Sequence, residues 1–297
     1  MTDTHAQQPT TYVTPGAFDC DTLIVGMGTA GLLAAYALLL ARPGTRLWLA
    51  DAGAPLDQRL AHGDTSASGY GGAGLYLGGR LYLGDSTIPV LPSVSAPPEL
   101  RPVLAGAAYA RRAREVNDLF DAFGATGGLQ SAPSEPLAQA IAQARAVGID
   151  YVTSYPSRYL GAPERHAILR SLRAQVEARG ARLLFGAQMT AAERSHGEDG
   201  GFQVTLARYQ ERDQPPLQVT TRSLLLALGR YGAEELMRVA GALDARSVTL
   251  PPTIGVRIEM AASSYNPLTD VNPDPRLQMA LADDALIKTY ATCPGGR

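Results

Sequence analysis

The sequence feature that most constrains the fold is a glycine-rich turn between a strand-like run and a helical pattern. Residues 20–25 form a short, mostly apolar run typical of a buried strand, which leads directly into a G-x-G-x-x-G motif, Gly26-Met27-Gly28-Thr29-Ala30-Gly31. A helical pattern follows from about residue 30 to residue 41, and a second apolar run ends at Asp51. This order predicts a βαβ unit, and therefore a parallel sheet with a right-handed crossover.

The three glycines of this turn suit a loop that binds a dinucleotide. Gly26 permits a tight turn, Gly28 lets backbone N–H groups approach a pyrophosphate, and Gly31 allows the helix to pack closely on the sheet. The start of the helix, at Thr29 and Ala30, carries about half a positive charge, which favours phosphate. We therefore interpret this turn as the phosphate-binding loop of a dinucleotide site.

Asp51 strengthens this interpretation because it closes the second strand, twenty residues after Gly31. A carboxylate there accepts hydrogen bonds from the adenosine ribose, and an acid in this position favours NAD or FAD over NADP. The motif alone arises readily by chance in a chain with 31 glycines among 297 residues, so the prediction depends on the surrounding strand, helix and acid. A tight βα turn that binds no ligand remains the alternative.

A second glycine-rich run, Ser68-Gly69-Tyr70-Gly71-Gly72-Ala73-Gly74, follows the βαβ unit. Such dense glycine indicates backbone that approaches something closely or adopts positive φ. Close approach of Gly71, Gly72 and Gly74 to an isoalloxazine ring or a pyrophosphate is the functional interpretation, and a flexible surface loop is the alternative. Just beyond this run we expect a hairpin around Gly78 and Gly79.

Later parts of the chain predict further strands. Alternating polar and apolar residues at 202–208 and 217–221 are typical of an antiparallel pair with one face towards solvent. An apolar run at 224–228 predicts a buried strand that ends at Gly229, and residues 254–258 predict another strand.

Composition excludes several classes of function. The chain is 45% apolar and 18% charged, as expected of a globular protein, and its net charge of −2 argues against nucleic acid or an anionic membrane as a partner. Lys288 is the only lysine, so a P-loop is excluded, and no G-x-S-x-G motif is present for a hydrolase nucleophile. Two cysteines and four scattered histidines predict neither a disulfide framework nor a metal site.

One uncharged run, residues 22–41, is as long as a membrane-spanning helix, which needs about 20 apolar residues. Glycines crowd its first half, and no lysine or arginine precedes it as a signal peptide would require. A buried strand followed by a buried helix explains the run better. We therefore expect a cytoplasmic protein with no membrane partner.

These residues resemble the FAD-dependent oxidoreductases with a glutathione-reductase-type FAD domain, and more narrowly a bacterial group of uncharacterised FAD-dependent dehydrogenases. Residues 69–74 are similar to that group's G-F-G-G-A-G segment, and residues 77–81 more loosely to its S-D-G-K-L segment. Residues 253–259 are similar to its A-I-G-V-R-V-E strand. Residues 291–296 are similar to its C-M-C-P-G-G box, with the first cysteine replaced.

The resemblance implies an α/β fold in which a Rossmann-like parallel sheet forms the FAD-binding domain, with an inserted substrate-side α+β region. It places the FAD-binding domain at 18–85 and 160–235, the substrate-side region at 86–159 and 236–297, and a flexible tail at 1–17. The implied cofactor is FAD, with these residues in contact: Gly26, Gly28, Thr29, Ala30, Gly31, Asp51, Gly71, Gly72, Gly74, Met189 and Gly229. Cys293 is a weak catalytic candidate, and a small buried residue is the alternative there.

The implied activity is hydride transfer between a small organic substrate and flavin N5. Members of the group continue well past the C-P-G-G box, so we also expect this chain to be C-terminally shortened. It would then be a fragment, a chain whose FAD site a second polypeptide completes, or a chain that has lost the function. The sequence leaves two other functions open: a non-catalytic nucleotide-binding or partner subunit of a split flavoenzyme, and a dehydrogenase that uses only a nicotinamide cofactor.

Overall fold

The chain divides into two compact units. The computed structural model describes residues 18–82, 107–128, 133–151, 157–195, 200–208, 215–245, 255–272, 275–281, 286–289 and 292. Unit 1 comprises Met1–Gly79 and Ala162–Val248, and unit 2 comprises Arg80–Gly161 and Thr249–Arg297.

Regular elements occur in both units. In chain order the strands are β1 (Cys20–Val25), β2 (Leu47–Asp51), β3 (Arg80–Tyr82), β4 (Asp150–Tyr151), β5 (Ser157–Tyr159), β6 (Arg182–Phe185), β7 (Ala187–Arg194), β8 (Phe202–Arg208), β9 (Leu217–Leu226), β10 (Leu277–Ala280) and β11 (Leu286–Lys288). The α-helices are α1 (Thr29–Ala41), α2 (Leu56–Ala61), α3 (Ala107–Ala122), α4 (Glu135–Ala146), α5 (Ala162–Ala178), α6 (Ala233–Ala242) and α7 (Ala262–Thr269).

Unit 1 is built on a six-stranded sheet in the order β6-β2-β1-β9-β8-β7. β1 pairs in parallel with β2 and β9, and β2 pairs in parallel with β6. β8 is antiparallel to β9, as the alternating pattern predicts, and also to β7 on its other side. The predicted fold class is therefore confirmed as a mixed α/β fold with a largely parallel central sheet.

The register of the parallel strands brings their carboxyl ends to one edge of the sheet. Val25 of β1 lies opposite Ala50 of β2 on one side and Leu226 of β9 on the other. The turns that follow these three strands therefore emerge next to one another. Ligands of open α/β sheets bind at such an edge.

Two apolar layers bury this sheet. α1 and α5 pack against each other, and α5 contributes a stripe at helical spacing that includes the fully buried Leu169, Leu172 and Val176. A second buried cluster joins parallel and antiparallel strands through Cys20, Leu23, Val25, Ala50, Ala187, Met189, Ala192, Val204, Leu206, Val219, Val239 and Leu243. Across the described ranges, no helix is both long and apolar enough to cross a membrane.

The unit boundaries differ in part from those predicted. The sequence predicts divisions near residues 85, 159 and 235, whereas the units meet at residues 79, 161 and 248. The last division moves because α6 belongs to unit 1, where Val239 joins the buried cluster.

Two local predictions were wrong. The expected hairpin at residues 78–79 is absent, since β3 instead pairs antiparallel with β5. Tyr76 lies in a short π-helical segment, Gly72–Gly78, rather than in a strand. The described part of the predicted strand at 254–258 has no ladder partner, and Val256 and Ile258 are 86% and 71% exposed.

The stripe on α5 gives a direct test of this packing. We expect Leu172→Ala to lower the free energy of unfolding by about 2–5 kcal/mol, because it removes a fully buried side chain and leaves a cavity. Leu40→Ala on α1 is the control, since Leu40 is 52% exposed and its truncation should change stability by about 0.5 kcal/mol or less. Urea unfolding of both variants measures the difference, and equal losses would contradict the packing.

Candidate functional site

Three turns meet at the carboxyl edge of the parallel strands. The Gly26 N–H donates to the Ala50 carbonyl at 2.8 Å, and the Ala227 N–H donates to the Val25 carbonyl at 2.7 Å. These bonds extend the β1–β2 and β1–β9 pairings by one residue into the turns. The first residue of the glycine motif is therefore held by hydrogen bonds that continue the sheet.

Two glycines of the motif are required by the packing of the chain itself. Gly26 has φ +104°, and a Cβ there would lie 2.3 Å from the Ala227 carbonyl oxygen. A Cβ on Gly31 would lie 1.9 Å from the Gly26 carbonyl oxygen. Neither distance is tolerable, so these two positions accept only glycine whether or not a ligand binds.

Gly28 is different, because neither its backbone nor its surroundings require a glycine. Its φ of −73° is open to any residue. The nearest atom to an added Cβ is the Gly72 Cα at 3.9 Å, an ordinary contact distance. Gly28 therefore leaves a space against bare backbone that the chain does not fill.

This space lies at the amino terminus of α1. Gly28 is the N-cap residue and supplies no side chain to cap the helix, and the first turn contains no acidic residue. The first N–H groups of an α-helix have no partner within the helix, so those of Thr29 and Ala30 are available to an anion. Ala30 is exposed, whereas the Thr29 hydroxyl is buried with no hydrogen-bond partner among the described residues.

The second glycine run packs directly on the first, instead of forming a loose surface loop. The Gly71 N–H donates to the Met27 carbonyl at 2.8 Å, and Gly71 forms a parallel β-bridge with Gly28. A Cβ on Gly72 would lie 3.2 Å from the Gly28 Cα. The structure thus brings two predicted groups of glycines together on either side of one backbone contact.

Asp51 points into this contact rather than away from it. Asp51 is 6% exposed. Its two carboxylate oxygens accept hydrogen bonds from the N–H groups of Met27 and Gly53, each at 2.7 Å. Burial raises the pKa of Asp51, while these two donors and the charge of Arg59 lower it in part. Each carboxylate oxygen keeps capacity for a second hydrogen bond, which a ribose hydroxyl could use.

Of the remaining predicted residues in the described ranges, one packs against the start of α1 and the other two do not contact the glycine turn. Met189 lies on β7 opposite Leu206, and its side chain is buried in the core cluster. Gly229 follows β9 with φ +64° and no atom within 4 Å of an added Cβ. Gly74 packs against α1, since its Cβ would lie 2.5 Å from the Thr29 Oγ1. Cys293 lies outside the described residues.

Arg59, which the sequence did not predict as a functional residue, lies on α2 and is 2% exposed. It donates to the Tyr70 carbonyl, one residue before the contact between the two glycine runs. No local pattern marks a buried arginine, since arginine is mostly exposed in folded proteins. Its closeness in sequence to Asp51 is the only available signal.

No protein-family model and no curated protein matches the chain. Its similarities to solved structures include AlpK (18% identity, TM-score 0.39, 71% of this chain and 31% of that one) and THI4 of Thermovibrio ammonificans (15%, 0.41, 75% and 63%). Another is NikD, described as an unusual amino acid oxidase (14%, 0.39, 75% and 53%). The chain spans less than two thirds of the length of each of these proteins.

The contact between Gly74 and Thr29 can be tested by a double-mutant cycle. Gly74→Ala should lower the free energy of unfolding by about 1–3 kcal/mol, because the new Cβ overlaps the Thr29 hydroxyl. Thr29→Ala removes that oxygen and leaves the Thr29 Cβ at an ordinary 3.5 Å, so the double variant should recover most of the loss. Urea unfolding of all four proteins measures the coupling, and strictly additive changes would rule out the contact.

The buried carboxyl of Asp51 predicts a pH dependence of stability. Because its pKa is raised, the folded protein keeps the Asp51 proton to higher pH than the unfolded chain, whose aspartate pKa is about 3.9. The contribution of Asp51 to the free energy of unfolding therefore decreases as pH rises from about 4 through the raised pKa. We expect the difference in the free energy of unfolding, wild type minus Asp51→Asn, to decrease as pH rises from about 4 through the raised pKa. Urea unfolding at a series of pH values measures this difference. A difference independent of pH would contradict the raised pKa.

Proposed function

We propose that unit 1 binds FAD and that the protein is an FAD-dependent oxidoreductase acting on a small organic molecule. The observation that carries this proposal is the open space at Gly28. A side chain there is permitted by the backbone and by the packing, yet the residue is glycine at an uncapped helix terminus. A ligand that must contact backbone explains the missing side chain.

The residues around this space suit the diphosphate of a dinucleotide. The free N–H groups at Thr29 and Ala30, together with the positive end of α1, would neutralise part of the phosphate charge. No acidic side chain in the first turn of α1 opposes an anion. The second glycine run would add backbone close to the ligand, because Gly72 brings no side chain towards Gly28.

Asp51 fits the adenosine end of the same ligand in a restricted way. Each Asp51 carboxylate oxygen already accepts one backbone N–H. A ribose hydroxyl would therefore have to donate to an oxygen that already accepts a hydrogen bond. Removal of the Asp51 carboxylate would leave the N–H groups of Met27 and Gly53 without these acceptors. Asp51→Ala would therefore lower stability as well as affinity, which makes it a poor test of binding.

Bound FAD would supply a hydride acceptor at its flavin N5, and the chain itself would bind and orient the reactants. In this proposal the turns of unit 1 hold the cofactor. Met189 and Gly229 are assigned to the cofactor only through the family resemblance. A visible flavin spectrum in the purified protein would support FAD, whereas a colourless protein that binds NAD would favour the nicotinamide-only alternative.

Gly28→Ala is the sharpest test of the proposed site. The variant should fold as wild type does, because the new Cβ meets nothing closer than 3.9 Å. We expect FAD affinity to fall about 10- to 150-fold, which corresponds to losing one hydrogen bond to a charged group. Fluorescence titration measures affinity, and thermal unfolding confirms the fold.

Gly241→Ala on α6 is the matched control, since an added Cβ there also meets no atom within 4 Å. Its FAD affinity should equal that of wild type. Unchanged affinity in Gly28→Ala would show that the space at Gly28 is not where FAD binds. Failure of the wild-type protein to bind FAD would refute the proposed function itself.

A further inference from the structure

Arg59 is a buried cation beside the candidate site. The residue is 2% exposed, and its Nε donates to the Asp64 carboxylate at 2.7 Å. Its guanidinium also stacks on the Tyr76 ring, 3.6 Å from the centroid. Burial of a guanidinium is costly unless its donors are satisfied, so these contacts fix where the group lies.

The remaining donors of Arg59 bind the segment that leads into the second glycine run. Nη1 donates to the Tyr70 carbonyl at 2.6 Å, and Nη2 donates to the Ser66 carbonyl at 2.7 Å and to its hydroxyl at 3.1 Å. No helix or strand is assigned between α2 and Gly71. The course of this segment therefore depends on side-chain contacts, and Arg59 makes four of them.

One peptide group is held at both ends. The Tyr70 carbonyl accepts from Arg59, and the N–H of the same peptide, on Gly71, donates to the Met27 carbonyl. A cation on the carbonyl polarises the peptide and strengthens the hydrogen bond that its N–H donates. Arg59 thus acts on the contact between the two glycine runs.

The path continues to the acid at the other side of the site. The Met27 carbonyl accepts a hydrogen bond from the Gly71 N–H, and the Met27 N–H donates to the Asp51 carboxylate. The carboxylate and the guanidinium therefore lie at opposite ends of one hydrogen-bonded path through Met27 and the Tyr70–Gly71 peptide. Moving either end would shift the backbone beside Gly28.

We infer that Arg59 is a positioning residue, which sets cofactor affinity by holding the Tyr70–Gly71 peptide against Met27. The inference rests on the proposed function. Arg59 is nearly inaccessible and makes four donations within the protein, so it acts through the second glycine run rather than by touching the ligand.

The test compares Arg59→Met and Arg59→Lys with wild type in the full chain. Hydrogen exchange of the Gly71 amide, measured without cofactor, should be at least about tenfold faster in Arg59→Met, as expected if one hydrogen bond to a charged group is lost. FAD affinity should fall about tenfold or more, and Arg59→Lys should be intermediate because an ammonium can reach one of these acceptors but not all. A purely structural role would speed exchange throughout unit 1 instead of at Gly71.

Arg170→Met is the matched control, because Arg170 is an exposed arginine that pairs with Asp57 of α2. It should change neither Gly71 exchange nor FAD affinity. If Arg59→Met does not fold, Arg59→Lys decides, and it must show both effects.

The outcomes separate this inference from the proposed function. Unchanged Gly71 exchange, or faster exchange with unchanged FAD affinity, would overturn the role of Arg59 while leaving FAD binding intact. If wild type binds no FAD, the proposed function fails and with it the effect on affinity. The exchange measurement then still decides whether Arg59 holds the peptide.

Discussion

The hydrogen bond from the Met27 N–H to the Asp51 carboxylate is the interaction on which the candidate site depends. It joins the turn after β1 to the end of β2 at 2.7 Å, in surroundings that exclude water. With its N–H fixed in this way, Met27 presents its carbonyl to Gly71 of the second run. The relative position of the two glycine runs therefore follows from one buried carboxylate, and so does the space left at Gly28.

The glycines of the G-x-G-x-x-G motif are of two kinds: two are required by the packing of the chain, and one is not. Gly26 and Gly31 are needed by the chain, since a Cβ at either would overlap a carbonyl oxygen. Gly28 is not needed by the chain, and the proposed ligand would supply a reason for it. A tight turn without a ligand would retain the first pair and be free to vary Gly28. The open space at Gly28 is thus stronger support for a binding site than the motif as a whole.

Local patterns predicted the βαβ unit well because its information lies within about 30 consecutive residues. The antiparallel pairing of β8 with β9 was likewise visible in alternation along each strand. Predictions failed where the partner is distant in sequence: β3 pairs with β5, about 75 residues away, rather than with its neighbour. Met189 and Arg59 show the same limit for single side chains, since no pattern around either residue reveals what it packs against.

The burial of both Asp51 and Arg59 is hard to explain by stability alone. Removing two charges from water costs several kcal/mol per ion, and apolar side chains of similar volume often serve stability as well or better. These two charges do not contact each other in a salt bridge; each binds backbone groups of the segments between them. Apolar replacements could fill the same volume, but they could not fix the orientation of a peptide N–H or carbonyl. The charges are therefore best understood as the means by which two glycine-rich segments, with few side chains of their own to pack, are held in one arrangement.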